Sequence, residues 1–129
     1  MTELLHAELT FETIGAAMEV HRSLGPGFLE SVYHRGMECE LRHRGVMFES
    51  QVRIGVSYKG VKIGEHVLDL VVNRSVIVEL KAAKEMNELH QAQLISYLKA
   101  ARLPVGLLIN FSKASLDYKR ILLKDSLRL

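Results

Sequence analysis

Between His66 and Lys81 the chain reads HVLDLVVNRSVIVELK: two apolar runs joined by Asn73, Arg74 and Ser75. Runs rich in Val, Leu and Ile, broken by three residues of turn composition, specify an antiparallel hairpin. With the loop at 73–75, cross-strand partners sum to a constant, so Val72 faces Val76, Leu70 faces Val78 and Asp69 faces Glu79. Side chains alternate along a strand, so Leu68, Leu70, Val72, Val76, Val78 and Leu80 share one side. Asp69, Glu79 and Lys81 take the other. A register slip of one residue would scatter the group.

Directly opposed carboxylates sit about 5 Å apart and repel by roughly 3 kcal/mol at an effective dielectric of 20. Lys81 offsets part of this, leaving the trio at minus one. A divalent cation would complete the neutralisation, and an all-oxygen donor set suits Mg²⁺ or Mn²⁺ rather than zinc. The chemistry that fits is metal-dependent hydrolysis of phosphate esters, with Lys81 screening developing charge and orienting the attacking water. The plainer alternative is a solvated Asp69–Lys81 or Glu79–Lys81 ion pair on an exposed sheet face.

The remaining elements follow from periodicity. Residues 3–23 carry Leu5, Leu9, Ile14, Ala17, Met18 and Val20 at mostly helical spacing, one helix or two short ones with a cap or break near Thr10 and Glu12. Gly25, Pro26 and Gly27 end it, and a stripe of Phe28, Val32, Met37 and Leu41 predicts a second helix up to Gly45. From Phe48 to Tyr58 the period is two, with Val52, Ile54, Val56 and Tyr58 on one face, before a turn at YKGVK. Strands at 62–72 and 76–82 follow, then a helix ending before Pro104, then the apolar strand VGLLINF. The tail LDYKRILLKDSL reads as a short helix or a strand. The fold class is α/β: one domain over residues 1–129, with helices packed on a central sheet.

Composition narrows the function classes. The 129 residues are 48% hydrophobic and 25% charged with a net charge of +2, so binding to phosphates needs local clustering. Candidates are Arg42, His43 and Arg44; Lys81 and Lys84; and Lys113, Lys119 and Arg120, although a solvated face is the more common meaning of such clusters. No apolar run approaches the roughly 18 residues of a membrane helix, and the start MTELLHAELTFE lacks a basic leader, so a cytoplasmic protein is expected. Cys39 has no internal partner and reads as a small buried hydrophobe on a helix. His6, His21, His43 and His66 stand at no metal-ligand spacing, and no phosphate-binding glycine loop or nucleophile elbow occurs.

Two further stripes bear on the hairpin. His90, Gln93 and Tyr97 fall on one helical face, read as opposite Leu94 and Leu98, where they could hold water or phosphate; a solvent-facing stripe is the alternative, and Tyr97 fits half-buried packing equally well. Glu30, Tyr33, His34 and Met37 share a face of the second helix, so Glu30 reaches the sheet if that face is inward. GPGFLE presents a helix start that positions Glu30.

The string GFLESVY is Gly27-x-x-Glu30-x-x-Tyr33, and with LDLVV, VIVELKA, HQAQLISYLK and VGLLINF it resembles the GxxExxY family of the PD-(D/E)XK nuclease superfamily. The resemblance runs from about residue 10 to residue 112. It implies an αβββαβ restriction-endonuclease-like core with an extra N-terminal helix. It further implies Asp69 and Glu79 as metal ligands with Glu30 as an additional acidic one, and Lys81 as the catalytic lysine. Gln93 and Tyr97 match the QxxxY signature of the RecB-like branch, with Tyr33, His90 and Tyr97 as supporting residues. Leu68 stands where the superfamily has its nominal proline, and the tail after Phe111 departs from the family, which leaves Lys119 and Arg120 without an implied role. The expected function is a Mg²⁺- or Mn²⁺-dependent nuclease acting on DNA, as a possible homodimer. The alternative is a non-catalytic nucleic-acid-binding or protein-interaction module that keeps the fold.

Overall fold

The computed structural model describes residues 5–123. Helix α1 spans Ala7–Leu24 without a break. Thr10 and Thr13 do not interrupt it, because their hydroxyls donate to the Ala7 and Leu9 carbonyls at 3.0 and 2.7 Å. Gly25, at φ 72° and ψ -178°, takes a positive-φ conformation open essentially to glycine and ends the helix. Helix α2, Glu30–His43, begins two residues past Phe28, which lies outside the helix and about half exposed; Tyr33, Met37 and Leu41 form its buried stripe. Cys39 is on this helix but exposed, contrary to the buried role expected of it, since it falls off the 33–37–41 stripe.

Strands β1 (Phe48–Tyr58), β2 (Val61–Val72), β3 (Val76–Lys81), β4 (Val105–Asn110) and β5 (Asp117–Leu122) form one sheet in that order. The β1–β2, β2–β3 and β4–β5 pairs are antiparallel. The β3–β4 pair is parallel, so the chain must cross over between them, and helix α3 (Glu88–Ala101) makes that crossing. The tail is thus a strand up to Leu122, and its last residues lie outside the described ones.

The hairpin register is the one the turn chemistry specifies: 70 pairs with 78, 71 with 77 and 72 with 76. Asn73 and Arg74 both take positive φ, 50° and 54°, as a tight hairpin turn requires. In β1 the alternation of exposed and half-buried residues holds only to Val56. A register shift between Val56 and Ser57 follows, and Tyr58 is exposed rather than aligned with Val52 and Ile54.

Two cores flank the sheet. Helices α1 and α2 cover Leu70, Val72, Val76, Val78, Leu80, Leu107 and Ile109 on one face. Helix α3 covers Leu68, Val71, Ile77 and Leu108 on the other through Leu94, Tyr97 and Leu98. Gly106 lets α3 approach closely, since a Cβ there would lie 3.0 Å from the Leu94 side chain. Among the described residues no helix is long and apolar enough to cross a membrane.

Candidate active site

The β2–β3 ladder stops at Leu70 and Val78. Beyond it β2 stays paired with β1, and β3 stays paired with β4 through Lys81 and Asn110. The sheet therefore forks, and the two acidic residues sit in the crotch. Each carboxylate takes a backbone N–H from the opposite strand: Asp69 N–H donates to Glu79 Oε1 at 3.0 Å, and Leu80 N–H donates to Asp69 Oδ2 at 2.8 Å. These bonds satisfy donors that the interrupted ladder would otherwise leave unpaired.

Glu79 is nearly fully buried. Its burial first, and the Asp69 charge second, push its carboxyl up to about 9, against a smaller opposing pull from Lys81. Without a compensating positive charge the Glu79 carboxyl therefore keeps a proton. On the outer side of β3, Lys81 Nζ donates to Gln93 Oε1 at 3.2 Å, bridging the fork to α3. Tyr97 lies beneath, its ring 4.5 Å from that of His66. Its phenol is raised by burial and then by the Glu79 and Asp69 charges, so it stays protonated beside them.

Towards α2 the fork opens into a cleft of about 470 Å³ lined by Glu30, Ser31, His34, Arg35, Glu38, Gln51 and Asp69. Tyr33 fixes the turn that delivers Glu30. Its hydroxyl donates to the Gly25 carbonyl at 2.6 Å and accepts the Phe28 N–H at 3.2 Å, while its ring stacks on Phe111 at 4.6 Å. Deeper on the same wall the Ser50 hydroxyl donates to Glu38, and His34 Nε2 stands 3.4 Å from both. Serine and carboxylate meet the same imidazole nitrogen, so this is no nucleophile relay, which needs one partner on each ring nitrogen.

A forked sheet with Asp on one arm and Glu-x-Lys on the other, under a helix carrying a further Glu, agrees with the family comparison. The model of the PD-(D/E)XK nuclease superfamily matches residues 7–121. The chain belongs to the PD-(D/E)XK nuclease superfamily. Among solved structures it is similar to the crystal structure of SSO0001, with a TM-score of 0.58 and 22% identity over 71% of this chain. That likeness bears on the fold, and the chain spans 48% of the length of SSO0001. Comparison with curated proteins finds no match.

Superfamily nucleases typically use divalent metal ions, and the donor chemistry at the fork of this PD-(D/E)XK chain fits one. Asp69 and Glu79 supply hard oxygen donors, and the buried Glu79 carboxylate lacks full charge compensation, which a cation would provide. Among the described residues no three His, Cys, Asp or Glu side chains already converge at ligand spacing. Glu30 therefore shares the cleft with Asp69 but is not drawn up to the pair.

Other expected residues fall elsewhere in this PD-(D/E)XK fold. His90 belongs to the α3 cap: its Nδ1 accepts the Asn87 N–H at 3.3 Å, while its own N–H donates to Asn87 Oδ1 at 3.1 Å. Tyr97 does not lie opposite Leu94 and Leu98 but packs in the core with them, leaving Gln93 to face Lys81. The basic clusters are largely occupied. Arg44 pairs with Glu40 and Glu12, Lys113 with Asp117, Arg42 stands over the Phe48 ring, and Arg120 donates to the Leu5 carbonyl. Asn110, which carried no signal beyond its place at the end of an apolar run, is fully buried. Its side chain accepts the Ala83 and Ser112 N–H groups and donates to the Ala83 carbonyl, pinning the segment that leaves Lys81.

Proposed function

We propose that this chain is a Mg²⁺- or Mn²⁺-dependent nuclease of the GxxExxY group that hydrolyses phosphodiester bonds in DNA, in the cytoplasm and as a homodimer. The observation that supports this most is the fork itself. Two strands part at the residues where one carries Asp69 and the other Glu79 and Lys81, and the opening leads to a cleft of about 470 Å³. A bound divalent ion would supply Lewis-acid polarisation of a phosphoryl oxygen, held by Asp69 and Glu79 with Glu30 as a third donor. Lys81, steadied by Gln93, places positive charge at the rim, where it opposes the negative charge that grows on phosphorus oxygens in the transition state. Gln93 also fixes the lysine rotamer, so less side-chain freedom is lost when substrate arrives. Tyr33 acts through the turn it clamps, setting where Glu30 stands.

The test is cleavage of labelled linear, circular and branched DNA, and of RNA, in chelator, Mg²⁺ and Mn²⁺. Metal-dependent cleavage lost in Asp69→Ala, Glu79→Ala and Lys81→Ala is the expected result. The second reading, a non-catalytic nucleic-acid-binding module, is favoured by the lack, among the described residues, of a third acidic side chain already converged on the pair. It predicts binding indifferent to chelator and no turnover. Melting temperature separates the two: Mn²⁺ should stabilise wild type and leave Glu79→Ala unshifted.

A further inference from the structure

The backbone of β1 changes which side it presents in mid-strand. Phe48 packs against the α1–α2 core and Ser50 bonds to Glu38 of α2. Val52 and Ile54, of the same parity, pack in the α3 core instead. Regular alternation would keep all four on one face. The residue between the two behaviours is Gln51, at φ 52°. Its neighbours Ser50 and Val52 pair with Leu70 and Leu68, so Gln51 stands opposite Asp69.

A turnover of the strand explains a positive φ there, but not a glutamine. Glycine takes this conformation freely and asparagine tolerates it, whereas other residues are strained by roughly 1–2 kcal/mol. The side chain that accompanies the strain is exposed and lines the cleft shared by Asp69 and Glu30. Across that cleft Arg35 has no ion-pair partner among the described residues.

We infer that Gln51 is a substrate-binding residue: its carboxamide donates a hydrogen bond to a backbone phosphate of the nucleic-acid strand entering the fork, with Arg35 meeting a neighbouring phosphate. This rests on the nuclease reading and adds to it a wall on which the strand lies. A neutral donor opposite Asp69 and a guanidinium across the cleft hold the strand between them, and the amide adds no charge at Asp69 that would compete with a divalent ion.

The experiment measures wild type, Gln51→Gly, Gln51→Asn and Arg35→Gln by fluorescence anisotropy with labelled single- and double-stranded DNA and RNA across a salt series in chelator. Each is also melted, and assayed for cleavage in Mn²⁺. Gln51→Gly should melt no lower than wild type, because it relieves the positive φ, yet bind about tenfold more weakly, the loss of one hydrogen bond to a charged group. Its salt dependence should be unchanged. Arg35→Gln should weaken binding and flatten the salt slope by about one. Gln51→Asn, which keeps the amide on a shorter arm, should fall between glycine and wild type. If Gln51→Gly binds and cleaves like wild type, this inference is wrong while the nuclease reading stands. A melting temperature lowered by several degrees in Gln51→Gly would make Gln51 a structural residue and also overturn it. If wild type neither binds nor cleaves any oligonucleotide, both readings fall together.

Discussion

The two ends of the β2–β3 hairpin are built from the same strands and behave in opposite ways. At the turn end, Leu70–Val72 and Val76–Val78 form a closed ladder of buried apolar residues. One residue further, at Asp69 and Glu79, side chains replace the partner backbone as acceptors and the strands part. Closure maximises burial, while parting leaves polar atoms facing a cleft. On the proposed function the hairpin separates stability from chemistry along its length, and mutations should sort by which end they touch.

The largest effect expected is at the open end. Asp69→Asn should lower metal-dependent cleavage by about 10³-fold or more, as loss of a central electrostatic group does, while circular dichroism shows the fold retained. At the closed end, Leu70→Ala should destabilise by about 2–5 kcal/mol through its cavity, read as a lower denaturant midpoint, with cleavage by the folded fraction little changed. Loss of activity without loss of stability in Leu70→Ala would break the comparison.

The third effect is pH dependence. The folded Glu79 carboxyl stands at about 9 against its ordinary 4.5, so the native state keeps a proton that the unfolded chain releases between those values. Stability is fully present below the unfolded value and declines as pH rises towards the folded one, by at most about 1.4 kcal/mol per pH unit. In chelator the melting temperature should fall from about pH 5 to about pH 8, and Glu79→Gln should flatten that slope. A smaller effect is expected at the rim. Gln93→Ala frees Lys81 and should slow cleavage about tenfold, with a melting temperature within a degree or so of wild type, since Gln93 is exposed.

The closed end was legible in the sequence because local rules determine it: turn residues set the loop, and alternation sets the faces. The pairing of 69 with 79 followed by extrapolation. That the ladder would stop there did not, because an interrupted ladder leaves no local mark. Gln51 escaped for a related reason: glutamine is not a residue that announces a positive φ. Tyr97 read equally as part of a polar stripe or as half-buried packing, because its ring is amphipathic, and burial in the α3 core decided its side. The basic clusters read as candidate phosphate contacts because charge spacing alone does not show which acids they meet: Arg44 pairs with Glu40 four residues away and with Glu12 32 residues away. The resemblance supplied what periodicity could not, namely that Glu30 belongs beside the hairpin.

The Asn110 carboxamide has a mechanical consequence. It locks Ala83 to the end of β4, so the strand bearing Glu79 and Lys81 is fastened at both ends: by the ladder near the turn, and by this knot beyond Lys81. A strand held so cannot fray into the gap or swing shut across it. The gap between the arms is then bounded on the β3 side by covalent chain and hydrogen bonds rather than by a free strand end.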